Sequence, residues 1–282
     1  MAQKATTLDA AEVILDLEDA VPADPAEKER ARGLLVESLR ELDFGGRTVA
    51  VRINGVRSSH AVRDVLALVP AVADRISCLV VPKVSSAAQV NFIDHLLSAL
   101  EAEGPVSRPL GIELQIEDPR GLESVAEIAA ASPRTEALIF GPGDFAAAMG
   151  MPQLTIGQET AAYPGDIWHY ALFRIAVAAK AHGLQAIDGP CSDIADSALL
   201  ERSSQRAAQL GYDGKWVIHP SQLEAVNRAF TPDAEQIRRA EQILAALNDR
   251  GGASRIGEEM VDEAHGRMAR EVLLRAQRLG PE

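Results

Sequence analysis

Glu117 and Asp144 are the residues of this chain best suited to metal chemistry. Glu117 ends the run Leu110-Gly-Ile-Glu-Leu-Gln-Ile116, and Asp144 follows Glu136-Ala-Leu-Ile-Phe140 through the turn Gly141-Pro142-Gly143. A carboxylate just past each of two successive buried strands places two hard oxygen donors at one rim of a parallel sheet. That donor set suits Mg²⁺ and leaves coordination positions open for water and substrate oxygens. Gly141 and Gly143 flank Pro142 and let backbone or a ligand come close. The competing use of the two acids is as helix N-caps or rim ion pairs.

The elements that must position these acids can be read from the apolar pattern. Short apolar runs predict strands over Val13–Leu17, Thr48–Ile53, Ser77–Val81, Leu110–Ile116, Glu136–Phe140, Leu184–Ile187 and Lys215–Ile218. Runs of this kind suit parallel strands buried on both faces. Between them, Pro25–Leu42, Ala61–Leu68, Ala87–Leu100, Leu122–Ala131, Trp168–Ala181 and Ser197–Leu210 read as helices. Alternating strands and helices over this length predict an α/β fold with a parallel sheet, and one further strand would complete a (β/α)₈ barrel. Helical segments Ser221–Phe230 and Asp233–Asn248 follow, then a glycine joint at Gly251–Gly252 and a final helix over about Val261–Leu279. The expected division is a barrel domain over residues 1–230 and a helical extension or lid over 231–282.

In such barrels the chemistry sits at the C-terminal ends of the strands. Every expected strand end carries a polar residue: Asp16, Glu18 and Asp19; Arg52 and Asn54; Lys83; Glu117 and Asp118; Asp144; Asp188; and His219. Solvated loops alone do not explain so regular a placement. Among these, Lys83 can meet an anionic substrate group or pair with a rim acid, and Asp188 shapes the pocket wall. His219, before Pro220, reads as a turn residue. Trp168, His169 and Tyr170 are expected to pack at a helix start. Cys191 lies near the wall without a His/Asn pattern that would make it a nucleophile.

The chain has 282 residues, 47% of them hydrophobic, and a net charge of −13. That charge argues against a general nucleic-acid binder, which needs clustered Lys and Arg for phosphate. A few local cations can still hold a small anion. With two cysteines, Cys78 and Cys191, a disulfide framework is not expected, and the reading is cytoplasmic. No run approaches the ~18 apolar residues of a membrane helix, and Met1–Thr7 has no signal-peptide core.

Seven segments, in order, carry a family resemblance: Leu15-Asp-Leu-Glu-Asp-Ala-Val21, Val51-Arg-Ile-Asn-Gly55, Val81-Pro-Lys83, Ile116-Glu117, Phe140-Gly-Pro-Gly-Asp-Phe145, Gly211-Tyr-Asp-Gly-Lys215 and Ile218-His-Pro-Ser-Gln222. They resemble the citrate lyase β-subunit and malyl-CoA lyase family, the CoA-ester lyase branch of the HpcH/HpaI aldolase superfamily. Gly141-Pro-Gly-Asp144 and Asp166-Ile-Trp-His-Tyr170 look more like the malyl-CoA lyases than the citryl-CoA-cleaving subunits. The resemblance implies a TIM barrel with a C-terminal helical extension, assembled as a homotrimer or homohexamer. The reaction implied is a Mg²⁺-dependent retro-Claisen cleavage of a 3-hydroxyacyl-CoA to an acyl-CoA and a 2-oxo acid. By position, Glu117 and Asp144 resemble the metal ligands and Arg52 the arginine facing the oxo-acid oxygens. Asp262, in Met260-Val-Asp-Glu263, resembles the aspartate that reaches a neighbouring subunit's site from the extension. Glu18 and Asp19 are expected to act as catalytic helpers that orient Arg52 or metal waters, and Asn54, Lys83, Gly143 and Asp188 to line the substrate.

Two departures from the family pattern stand out. The residues before Val13 do not read as the family's opening strand, Arg-Ser-x-Leu-x-x-Pro-Gly, which contributes to CoA binding, so seven strands are expected rather than eight. Gly-Glu-Glu-Met260 also lacks the Gly-Lys/Arg-Met pattern before the extension's aspartate. The expected function is therefore a Mg²⁺-dependent lyase for malyl-CoA, methylmalyl-CoA or citramalyl-CoA. The rivals are a class II aldolase for free 2-oxo acids and the β subunit of a citrate lyase assembly.

Overall fold

The computed structural model describes residues 2–104, 106–160, 163–250 and 253–279, with no side-chain description at 249 and 250. Two compact units result, Met1–Leu223 and Glu224–Glu282.

The first unit opens with a short helix α1 (Ala2–Ala5), so residues 2–5 are helical rather than a strand. Strands and helices then alternate: β1 (Glu12–Asp16), α2 (Pro25–Glu41), β2 (Thr48–Arg52), α3 (Ser59–Val72), β3 (Cys78–Val81), α4 (Ala87–Glu103), β4 (Gly111–Ile116), α5 (Pro119–Glu123), α6 (Val125–Ala129), β5 (Thr135–Phe140), α7 (Pro142–Ala148), α8 (His169–Ala181), β6 (Gln185–Asp188), α9 (Ser197–Gln209) and β7 (Gly214–Lys215). Local chemistry sets several helix starts. Asp24 Oδ1 accepts from the Ala26 and Glu27 N–H groups with Pro25 at the first helical position, and Ser58 and Asp196 cap α3 and α9 in the same way. The stretch expected as one helix over Leu122–Ala131 is two short helices, α5 and α6, that break at Ser124.

All seven strands run parallel in the order β1 to β7, so each crossover steps one strand onward. Among the described residues no eighth strand joins this sheet and β1 does not pair with β7. Seven parallel strands are the number expected from the sequence, and together they form one α/β sheet. This sheet is curled. Ile14 from β1 and Trp216, directly after β7, pack on the same cluster of Ala50, Cys78, Val80 and Ile139. In a flat sheet seven strands at ~4.8 Å spacing would hold them roughly 29 Å apart.

Register fixes which side chains face that inner cluster. Val80 pairs with Glu113, and Ile139 pairs with Gln115. Paired residues of parallel strands share a face, so Glu113, Gln115 and Glu117 all point inward, while Ile112, Leu114 and Ile116 sit buried on the outer side. The β4 run is therefore an alternating strand with a polar inner face.

A cluster of ion pairs fastens α4 to the start of β5. Arg134 donates to Asp94 Oδ1 at 2.8 Å, to Glu101 Oε1 at 3.0 Å and Oε2 at 2.5 Å, and to the Leu110 carbonyl at 3.1 Å. Arg134→Ala is expected to lower stability by about 2 kcal/mol, read as a lower urea midpoint at unchanged slope.

The second unit holds most of α10 (Leu223–Phe230), then α11 (Ala234–Arg250), an antiparallel hairpin β8 (Ser254–Ile256) and β9 (Glu259–Val261), and α12 (Glu263–Leu279). Helices α11 and α12 pack together, and Arg239 pairs with Glu259. The hairpin is absent from the sequence expectation, which began a helix at Val261. Here Val261 closes β9, and Asp262 is the residue before α12. The Gly251–Gly252 joint lies outside the described residues. No helix among the described residues is long and apolar enough to cross a membrane.

Candidate active site

The C-terminal ends of β1 to β5 converge on a set of charges around Lys83. Glu117, directly after β4, is 2% exposed. Its Oε1 accepts from the Lys83 backbone N–H at 2.7 Å, and its Oε2 accepts from Gln115 Nε2 at 2.7 Å. Burial pushes its carboxyl up to about 9, and the nearby charges of Asp144 and Glu18 push the same way. A buried carboxylate facing two further acids is short of positive charge, which is the electrostatic setting that favours a bound cation.

Asp144 lies in the first turn of α7, which begins with Pro142 at its first position. The sequence had placed a turn here, and the helix is what aims Asp144. The Lys83 ammonium reaches Glu18 Oε1 at 2.8 Å, Asp144 Oδ2 at 3.5 Å and Asp19 Oδ1 at 3.6 Å. These acids hold the Lys83 ammonium above its ordinary pKa, although burial works against it. Among the described residues Lys83 is also the non-glycine residue with a left-handed backbone, φ 55°. That conformation costs of order 1 kcal/mol and turns the Lys83 N–H toward Glu117.

Arg52 ends β2. Its Nε donates to Asp16 Oδ1 at 2.9 Å and its Nη2 to Asp16 Oδ2 at 2.6 Å, a two-pronged contact. Its Nη1 lies 3.3 Å from Glu18 Oε2, and the guanidinium sits over the Trp216 ring at 5.6 Å. Burial disfavours the Asp16 charge, but the Arg52 fork and the Glu18 and Ala20 N–H groups bring its carboxyl below the usual range. Burial holds Glu18 above its usual range, partly offset by Lys83 and Arg52.

Two other expected substrate residues are engaged in buried contacts. Asn54 Nδ2 donates to Asp64 Oδ2 at 2.7 Å and to the Leu17 carbonyl at 3.1 Å, and Asp64 in turn accepts from Arg32 Nε at 2.6 Å. Asp188 Oδ2 accepts from Lys215 Nζ at 2.6 Å, a pair with side-chain exposures of 2% and 3%. Gly143 lies within α7, beside Ile156. Asp262 is the half-buried cap of α12: its Oδ1 accepts from the Ala264 N–H at 2.9 Å and meets His265 Nδ1 at 2.8 Å. The His265 contact holds the Asp262 carboxyl below its ordinary pKa.

Two glycines are needed for close approach. A methyl group on Gly141 would lie 2.4 Å from Glu117 Oε2, and one on Gly189 would lie 2.1 Å from Pro142 Cδ and 2.4 Å from the Phe140 carbonyl. Glycine therefore lets the segment carrying Asp144 lie against both Glu117 and the end of β6.

Glu18, Asp19, Arg52, Lys83, Glu117 and Asp144 thus form one connected group. Asp16, named from the sequence only as a strand-end acid, holds Arg52, and Gln115 and Trp216, which were not named as site residues, complete the support. For Gln115 the signal was present, as period-two polarity in Glu113-Leu-Gln115-Ile-Glu117. His219 serves its turn, its Nδ1 accepting from the Ser221 N–H at 3.2 Å. Trp168 is buried, with its ring edge-on to Phe140 at 5.7 Å. Cys191 is a buried free thiol 3.3 Å from Ser203 Oγ.

A curled parallel sheet with acids, Lys83 and Arg52 gathered at the carboxyl ends of its strands defines an α/β enzyme built for anionic substrates and a hard cation. The chain belongs to the HpcH/HpaI aldolase/citrate lyase family, whose model matches residues 1–220. It is similar to the L-malyl-CoA/beta-methylmalyl-CoA lyase of Cereibacter sphaeroides, 39% identical over 249 residues, covering 85% of this chain and 78% of that one. Among solved structures it resembles CitE from Mycobacterium tuberculosis in complex with magnesium, acetoacetate and coenzyme A. The TM-score is 0.75 at 33% identity, over 94% of this chain and 89% of that one. A citrate lyase from Burkholderia xenovorans matches with a TM-score of 0.84 at 26% identity, over 96% of this chain and 85% of that one.

Proposed function

We propose that this chain is a Mg²⁺-dependent carbon–carbon lyase that cleaves, or forms, a 3-hydroxyacyl-CoA of the malyl-CoA, methylmalyl-CoA or citramalyl-CoA type. The observation that carries the reading is Glu117: a carboxylate 2% exposed, facing Asp144 and Glu18, whose proton affinity is raised first by burial and then by those two acids. The relatives supply the substrate class, since proteins similar over most of this chain are named malyl-CoA lyases and a neighbour binds magnesium, an oxo acid and coenzyme A.

In this reading Glu117 and Asp144 hold the metal, and Gly141 leaves the space for it. Bound Mg²⁺ supplies Lewis-acid stabilisation of the oxygen that develops charge as the bond breaks. Arg52, locked by Asp16, presents its remaining N–H to the 2-oxo-acid carboxylate in fixed orientation. Lys83 screens the acids and offers a second positive contact to the substrate. Glu18 and Asp19 keep Lys83 and Arg52 in place, while Asn54, Gly143 and Asp188 shape the walls. Asp262, held as a carboxylate by His265, is the proposed proton carrier at the acyl α-carbon. The proposed assembly is a cytoplasmic homotrimer or homohexamer in which Asp262 serves a neighbouring copy's site. The eight-stranded barrel of the family is the proposed frame of that assembly.

Purified protein is tested with malyl-CoA, citramalyl-CoA, β-methylmalyl-CoA and citryl-CoA, in Mg²⁺ and in EDTA, with released oxo acid trapped by phenylhydrazine. EDTA-sensitive release from one of the first three is expected. Release from citryl-CoA alone would point to the citrate lyase subunit, and release from none would sink the lyase reading. Gly141→Ala is expected to weaken Mg²⁺ activation by about 10–100-fold, because its methyl displaces the Glu117 carboxylate. A titration of activity against Mg²⁺ measures it.

A further inference from the structure

The polar inner face of β4 does not stop at the candidate active site. At the opposite, N-terminal end of the sheet, Glu12 from β1, Cys78 from β3 and Glu113 from β4 bring one ligand atom each to within 4.8 Å of one another. Glu113 lies four residues before Glu117, about 13 Å along the strand, so this is a separate cluster.

Its polar atoms lack the partners that burial demands. Glu113 is 4% exposed, and its Oε2 has no hydrogen-bond partner; Glu12 Oε1 is likewise buried and unpartnered. Among the described residues no Lys, Arg or His pairs with either carboxyl. Arg108 acts on Glu136, whose charge adds to the repulsion felt by Glu12 and Glu113. The Cys78 thiol is pushed far up, first by burial and then by Glu113, Glu12 and Glu136. Two buried carboxyls with orphaned oxygens beside a thiol form a polar pocket without a cation, and burial with their mutual repulsion raises Glu12 to about 7 and Glu113 to about 8.

We propose that Glu12, Cys78 and Glu113 bind a thiophilic divalent cation, of the Zn²⁺ class, at the N-terminal end of the sheet. The mixed sulfur and carboxylate donors favour Zn²⁺ over Mg²⁺, and three protein ligands leave a fourth position for water. Binding forms the metal–sulfur bond as the Cys78 S–H proton is released to solvent, along with any proton the two carboxyls hold. The cation then supplies the charge that the pocket lacks. Being remote from Glu117, it has a structural role and is independent of the proposed reaction.

The test uses the full chain, stripped with chelator and then held in excess Mg²⁺ to occupy hard-oxygen sites. Co²⁺ is added as a spectroscopic substitute, and Zn²⁺ is counted by elemental analysis after desalting. One Zn²⁺ per chain is expected. The Co²⁺ form is expected to show a near-ultraviolet sulfur-to-cobalt charge-transfer band that persists in Cys191→Ser and Glu117→Gln and vanishes in Cys78→Ser. Glu113→Gln, which keeps the volume of a carboxyl that burial raises to about 8 and so is expected to fold, should weaken Zn²⁺ binding at least about tenfold. The proposal is overturned if wild type takes up no Zn²⁺ or Co²⁺ in excess Mg²⁺, if the sulfur band survives Cys78→Ser, or if Glu113→Gln binds Zn²⁺ like wild type. None of these readouts involves turnover, so a failed lyase assay and a failed metal site are separate results.

Discussion

Glu117→Gln is expected to lower Mg²⁺-dependent thioester cleavage by at least about 10³-fold, the loss of roughly 4 kcal/mol of charge stabilisation at the reacting oxygen. The substitution keeps the volume and can still accept from the Lys83 N–H, which wild-type Glu117 bonds at 2.7 Å. It removes the charge on which a hard cation depends. Asp144→Ala should act in the same direction. Stability should not follow activity. The Glu117 carboxyl rises from 4.5 unfolded to about 9 in the fold, so the folded chain holds that proton more tightly. Its contribution is complete below about pH 4.5 and is lost as pH climbs through 9. Metal-free wild type should therefore lose stability toward alkaline pH more steeply than Glu117→Gln, which cannot ionise. Thermal melts in EDTA at several pH values, beside turnover in Mg²⁺, measure both. Near-normal turnover in Glu117→Gln would remove Glu117 from the metal site.

Arg52→Lys is expected to cost about 10²–10³-fold in turnover per unit substrate, the usual loss for one preorganised donor. Lysine keeps the charge but cannot make the two-pronged contact with Asp16 at 2.9 and 2.6 Å while presenting a further N–H. It also gives up the guanidinium contact over the Trp216 ring, 5.6 Å from its centroid. Arg52→Ala should additionally lower stability by about 3 kcal/mol, because Asp16 loses its cation and Glu18 keeps only Lys83. The two effects separate in steady-state kinetics and urea unfolding. If Arg52→Ala destabilised the fold but Arg52→Lys left turnover and KM at wild-type values, Arg52 would be a partner for Asp16 alone.

Much of this fold can be read from local pattern. Each of the seven expected strands has a counterpart within three residues at either end, because short apolar runs bounded by turns have few other ways to be buried. Pro25 after Asp24 marks the start of α2 as clearly in the chain as in space. The stretches that misled were those where a tertiary neighbour decides. Pro142–Ala148 is helical because Gly141 and Gly189 let the chain turn tightly against β4 and β6, and nothing within the heptad announces that. The β8–β9 hairpin carries few β-forming residues, and its turn depends on Gly257 at φ +60°.

The sequence by itself determined the order of strands and helices, the negative balance of the chain, and which strand ends carry acids and bases. Those properties depend on residue type and spacing along one dimension. Only the tertiary structure decided which ends meet. Curling of the sheet brings Trp216 over Arg52, and the left-handed Lys83 backbone turns its N–H onto Glu117. The same curling makes the polar face of Glu113-Leu-Gln115-Ile-Glu117 the inner one, which the alternation visible in the sequence does not decide. Contacts between residues distant in the chain are set by packing and charge compensation across strands, and no local spacing encodes them.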